Sequence, residues 1–157
     1  MLPQRIIRGL VFVVVYGTFS VTGVIANDLT VIAVSGSVAP DGNGVFSAFN
    51  APALNNQGAV AFSADFAGTS LGFIDDAGLY RATPTGITQI VRAGEVTPGG
   101  TDVYSSFGAP SLNEIGHIAF TSRLGPADRS DDTSVGQSEA FLNFGGATSD
   151  ILLLGDL

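Results

Sequence analysis

The sequence predicts an all-β protein built from tandem four-stranded antiparallel repeat units, partly β-propeller-like, and three observations predict it. Gly supplies 21 of 157 residues, about twice its ordinary share, while Lys is absent and Val, Ala, Phe and Thr are plentiful. Such a composition favours short strands and turns over helices. The chain also repeats itself, since residues 29–66 align without a gap on residues 87–124 at an offset of 58, with sixteen of 38 positions identical. Finally, short β-branched or aromatic stretches alternate with Gly, Pro, Asn and Asp clusters. Periodicity fixes the unit and not the packing, so a β-sandwich or an open stack of hairpins stands as the alternative.

The amino terminus is read apart from the fold. Arg5 and Arg8 precede an apolar stretch from Gly9, and Val24 and Ala26 place small residues before a cut after Ala26. This is the pattern of a secretory signal peptide over residues 1–26. The alternative is an uncleaved membrane anchor, although Gly17, Thr18, Ser20, Thr22 and Gly23 dilute the stretch. Residues 27–157 then form one β-repeat domain, with repeat 1 over about 29–86, repeat 2 over about 87–147 and the start of a third over about 148–157. The third start rests on "DILLLGDL" (150–157), which aligns with "QIVRAGEV" (89–96) at an offset of 61.

Four strands are predicted in each unit. In the first they are "LTVIAVS" (29–35), "VFSAFNAPAL" (45–54), "GAVAFSADF" (58–66) and "AGLYRAT" (77–83); in the second, "ITQIVRA", "VYSSFGAPSL", "GHIAFTSRL" and "EAFLNF". Between the second and third strands lie "NNQG" (55–58) and "NEIG" (113–116). Asn at the first corner of a type I turn bonds to the N–H two residues on, and Gly at the fourth accepts positive φ. In the strand that follows, alternation sets Val60 and Phe62 on one face and Ala59 and Ala61 on the other, with Ile118 and Phe120 sharing a face in the second copy. Small Ala61 and Ala119 leave room for a neighbouring sheet.

Composition and charge restrict function. Removing residues 1–26 leaves Arg81, Arg92, Arg123 and Arg129 against 14 carboxylates, a balance of 4 − 14 = −10. That sign repels phosphate, so nucleic acid is excluded as a partner. No Cys is present, so neither a disulfide nor a Cys nucleophile is available. His117 is the single His and reads as a strand residue; one His without Cys supplies too few of the usual zinc ligands. Acid chemistry on sugars would need two placed carboxylates, and Glu95, Glu114 and Glu139 each sit near a turn or strand start. Calcium would take oxygen ligands from loops: 40–44 ("PDGNG"), Asp75 and Asp76, or 128–132, where Asp128, Asp131 and Asp132 are the best candidates. Asp, Asn and Gly are equally what turns are made of. The expectation is therefore no catalytic residue, no metal and no cofactor.

The spacing Asn55, Gly58, Ala61, Phe62, repeated as Asn113, Gly116, Ala119, Phe120, resembles the bacterial choice-of-anchor tandem repeat NxxGxxAF-containing proteins across residues 29–157. The resemblance implies an exported protein of tandem β-rich repeats, with more copies than here and a carboxy-terminal anchoring segment. No apolar tail follows Leu157, which departs from that pattern. The resulting expectation is a non-enzymatic structural or binding module, secreted or at the cell surface, with an unknown ligand. A carbohydrate-binding or calcium-dependent module is the alternative, with a carboxylate-based glycan-active enzyme behind it. Two units leave two apolar outer faces, which predicts self-association or further repeats from a longer chain. Membrane contact is expected only through an uncleaved amino-terminal segment.

Overall fold

The computed structural model describes residues 30–100, 102–126 and 138–150. Among these the protein is all-β: two antiparallel sheets, one 3-10 turn at Gly72–Ile74, no α-helix, and no closed barrel or propeller. The strands are β1 (Val45–Phe49), β2 (Ala53–Leu54), β3 (Val60–Ala67), β4 (Ala77–Thr83), β5 (Gly86–Arg92), β6 (Asp102–Phe107), β7 (Ser111–Leu112), β8 (Ile118–Pro126), β9 (Ser138–Asn143) and β10 (Thr148–Asp150).

The two sheets are copies of one another. The first runs β1-β3-β4-β5 with β2 beside β3; the second runs β6-β8-β9-β10 with β7 beside β8. Register is reproduced pair by pair. Ala82 faces Ile87 in the first sheet, and Asn143 faces Thr148 in the second, each residue 61 further on. Even the irregularity is duplicated, because the β1–β3 register slips between Phe46 and Ala48 and the β6–β8 register between Tyr104 and Ser106. A bulge bends its strand, so both sheets curve at the same place.

The strand predictions need three corrections. The stretches predicted as single strands over 45–54 and 103–112 are each two, because Asn50, Ala51 and Pro52 lie outside the strands between β1 and β2, and Gly108, Ala109 and Pro110 between β6 and β7, and proline cannot donate to a ladder. "ITQIVRA", predicted to open the second unit, closes the first sheet as β5, pairing with β4 from Thr83–Gly86 to Gly78–Arg92. The sheet boundary therefore falls one strand later than the sequence repeat. Its counterpart "LTVIAVS" is not a strand over its described residues, 30–35. A strand needs a neighbour to take its backbone donors and acceptors, and no described strand forms a ladder with residues 30–35. From Gly36 onward the two copies agree again: Gly36 N–H donates to Phe46 O at 2.7 Å, and Gly94 N–H to Tyr104 O at 2.8 Å.

Alternation assigns each sheet an aromatic face and a small-residue face. In the first sheet Phe46, Val60, Phe62, Phe66 and Tyr80 form one buried cluster, joined by Ala33 and Ala39 from the segment before β1. In the second, the corresponding Tyr104, Ile118, Phe120, Leu124 and Phe141 pack against Ala61, Leu79 and Val91 on the reverse of the first sheet. The stacking is thus face to back. Ala61 is fully buried there, the close approach that its small side chain permits. Phe62 and Tyr80 stack at 5.7 Å, and Phe120 and Phe141 repeat the pair at 5.4 Å; such contacts contribute about 0.5–1.5 kcal/mol each beyond burial. On the back of the second sheet, Ser138 and Thr121 are exposed where the first sheet buries Ala77 and Ser63, while Arg123 is exposed like its counterpart Asp65. Ala119, Ala140 and Leu142 are half-buried upon that face.

Candidate functional site

Chemistry-bearing side chains gather at the two ends of the sheets. At one end, where β3 and β5 finish and β1 and β4 begin, the loops 40–44 and 68–76 converge on Arg92. Arg92 is 4% exposed. Nε donates to Asp75 O at 2.8 Å, one terminal nitrogen to Asn43 O at 2.6 Å, and the other to Asp41 Oδ2 at 2.6 Å. The planar fork also lies over the Phe66 ring, 4.3 Å from its centroid. Arg suits this position because it carries five donors in fixed geometry and is weakly hydrated for a cation.

Asp75 anchors the second loop. Its carboxylate accepts from Asn43 Nδ2 at 2.6 Å, Ser70 Oγ at 3.3 Å and the Leu71 N–H at 3.2 Å. Burial alone would push its pKa up; the donors from Thr69, Asn43, Leu71 and Ser70 outweigh that and hold it below the usual carboxylate range. Asn43 is the hinge of the network, since its Oδ1 also accepts the Ser70 N–H at 2.8 Å. Nearby, burial and the Asp76 charge push Asp65 up, and burial pushes Glu95 up although Gln89 donates to it at 2.9 Å. Two of the three loops considered for calcium, 40–44 and the one holding Asp75 and Asp76, thus meet around the Arg92 guanidinium. Above this base the 68–76 loop exposes Leu71 and Phe73.

At the opposite end the two Asn-Gly turns form and touch. Asn55 O accepts the Gly58 N–H at 3.2 Å, and Asn55 Oδ1 accepts from Gln57 N at 3.1 Å and Ala59 N at 2.9 Å. Asn113 does the same for Gly116, Ile115 and His117 at 3.1, 3.1 and 2.9 Å. Gly58 and Gly116 have φ of 81° and 88°, the left-handed region where a Cβ is unfavourable. The sequence does not disclose that the first turn is also tied to the second. Asn55 Nδ2 donates to Asn113 O at 3.0 Å, and Asn56 donates through its backbone N and Nδ2 to Glu114 at 3.2 and 2.8 Å. Leu54 and Ile115 are exposed around this contact, and Phe144 packs edge-on against His117 at 5.0 Å.

The candidates named from sequence are therefore dispersed. His117 packs on Phe144, Glu114 bridges turns, Glu95 follows β5 and Glu139 lies on β9 opposite Ser122. Asp128, Asp131 and Asp132 lie outside the described residues. No group of three or more His, Cys, Asp or Glu side chains among the described residues could hold a metal ion. The sequence gives no role to Arg92 and does not join it to the 40–44 loop that holds Asn43. The one signal for Arg92 is an Arg on a strand at the position where the other copy has Val34.

A family model of unknown function, DUF7453, matches residues 16–138, which is 123 of the 157 residues. No curated protein and no solved structure matches the chain. The chain belongs to this family of unknown function.

Proposed function

We propose that the protein is an exported, non-catalytic β-repeat scaffold acting as a structural or binding module outside the cell or at its surface. The observation that carries this reading is the face-to-back stack of two equivalent sheets, joined turn to turn by Asn55, Asn56 and Glu114. A polypeptide duplicated in this way repeats a surface and a spacing, which serves assembly and multivalent contact. Arg92 holds loops together through three hydrogen bonds to protein acceptors. The two meanders correspond to neighbouring blades of an incomplete propeller, whose blades are four-stranded sheets. The resemblance of the doubled Asn-Gly-Ala-Phe spacing to exported tandem-repeat proteins and the signal-like residues 1–26 support the location. No helix among the described residues is long and apolar enough to cross a membrane.

A carboxy-terminally tagged chain tests this reading in a bacterial host. The expected result is recovery in the medium or on protease-accessible envelope, with Asn27 as its amino terminus; a chain retained in the cytoplasm contradicts export. Glycan-array binding with and without chelator then tests the module. Chelator-sensitive binding would move the assignment to a calcium-dependent lectin-like role, and release of sugar products would contradict the non-catalytic reading.

A further inference from the structure

We propose that Asn43 is a self-modification site that works as a one-way latch. While the 68–76 loop is closed, the Asn43 side-chain amide is kept intact; while the loop is open, the amide is lost by cyclisation onto Gly44, and the loop cannot close again. Asn43 is the one Asn of the chain that is followed by Gly. Without a side chain on the next residue, its backbone nitrogen is unhindered, the condition under which an Asn amide is attacked most readily. The fold requires that Gly: its φ is 87°, and a Cβ there would lie 2.7 Å from Thr69 Cγ2 and 2.9 Å from Ala67 O. The second copy of the repeat has Thr101 and Asp102 at these positions, so the pair belongs to this loop and not to the repeat.

Every polar atom of Asn43 is engaged in the closed state. Its N–H donates to Asp41 Oδ1 at 3.0 Å, its carbonyl accepts from Arg92 at 2.6 Å, Nδ2 donates to Asp75 Oδ2 at 2.6 Å, and Oδ1 accepts the Ser70 N–H at 2.8 Å. Ser70 and Asp75 sit on the 68–76 loop, so both ends of the amide are anchored away from the 40–44 loop. Held in this way, its Cγ cannot turn onto the Gly44 nitrogen. The tip of the loop adds little apolar burial, since Leu71 and Phe73 are 59% and 86% exposed. A segment held by polar bonds at the surface opens more readily than the core.

With the loop open, the Gly44 nitrogen gives up its proton to solvent and attacks Asn43 Cγ. The new C–N bond closes a five-membered imide, the Cγ–Nδ2 bond breaks, and the side-chain nitrogen takes a proton back from solvent and leaves as ammonia. Water then opens the ring at either carbonyl, giving aspartate or, with the main chain rerouted through the side chain, isoaspartate. Water is the one co-reactant. Neither product fits the closed loop. A carboxylate has no N–H to offer Asp75, and it would set two anions where donor and acceptor now stand 2.6 Å apart. Isoaspartate inserts a further carbon into the main chain and displaces the carbonyl that Arg92 holds.

The test incubates the full chain at mildly alkaline pH and follows position 43 by fragmentation mass spectrometry, in which loss of the amide adds one mass unit. The folded parent is expected to convert about tenfold or more slowly than the same chain in urea, because the rate follows the open fraction. Arg92→Met should speed conversion of the folded chain. So should Ser70→Pro, which at an exposed position removes the N–H that Asn43 Oδ1 accepts, together with the hydroxyl bond to Asp75. Asn43→Asp reproduces one product, and it should raise amide hydrogen exchange over residues 69–75 by about tenfold while β8 exchanges as in the parent. No conversion in urea, or a folded rate within about twofold of the rate in urea, overturns the site. Unchanged conversion in Ser70→Pro with a parent-like circular dichroism spectrum overturns the gating by the loop. Unchanged exchange in Asn43→Asp overturns the one-way latch. Each of these failures leaves the export reading standing.

Discussion

Replacing Asn by Asp in the two turns separates the two tasks of the repeated Asn. In Asn113 the side chain serves only its own turn, through two N–H bonds to Oδ1. Asp keeps an acceptor there, and Asn113→Asp should change stability by less than about 0.5 kcal/mol, as at an ordinary surface position. Asn55 makes the same two bonds and also donates through Nδ2 to Asn113 O at 3.0 Å. Its amide orientation is fixed, because Oδ1 must face two donors. Asn55→Asp therefore removes a hydrogen bond with a net value of about 0.5–1.5 kcal/mol and sets a carboxylate against a carbonyl oxygen. The expected total is about 1–2 kcal/mol. Urea unfolding reads this as a midpoint shift at constant slope; with m of about 2 kcal/mol/M it amounts to about 0.5–1 M. Equal shifts for the two variants would refute the claim that the first turn clamps the second.

Two further predictions concern the loop lock. Arg92→Met should cost about 2–4 kcal/mol in the same assay. Breaking a buried ion pair costs about 3–5 kcal/mol, and Asp41, at 33% side-chain exposure, recovers part of its hydration. Arg92→Lys should fall between, since a single ammonium cannot replace the fork; a cost below about 1 kcal/mol for Met would show that the network carries little. In pH titrations, Asp75 has a lowered folded pKa, so its stabilisation is present above the unfolded value and is lost as pH falls through the folded one. The stability gap between the parent and Asp75→Asn should thus narrow on acidification. Asp65, raised by burial and Asp76, behaves oppositely: the folded state holds its proton longer, and stability falls as pH rises through the raised value. Asp65→Asn should gain stability relative to the parent at pH 7 and lose that advantage near pH 3.

The fold was legible wherever a local rule acted alone. The Asn-Gly turns, the split of Val60 and Phe62 from Ala61, and the bounds of β4 follow from turn chemistry and alternation. The sheet that receives each strand was not legible. "LTVIAVS" and "ITQIVRA" look alike by composition, but one finds the β4 edge and the other finds none among the described residues. Strand pairing is a tertiary decision, and propensity is silent about it. Arg92 was hidden for a related reason, because its acceptors, Asp41, Asn43 and Asp75, lie up to 51 positions away and share no motif with it. The bond from Asn55 to Asn113 was equally out of reach, since a repeat discloses that two turns exist and not that they touch.

Interstrand NMR contacts in the isotopically labelled protein test most directly whether the chain is one sheet-forming module used twice. The account predicts contacts between Arg81 and Thr88 and, in the same register, between Leu142 and Ser149, together with an Asn56–Glu114 contact between the sheets. Residues 87–92 pairing with β6 instead of β4, or helical chemical shifts in either copy, would contradict it.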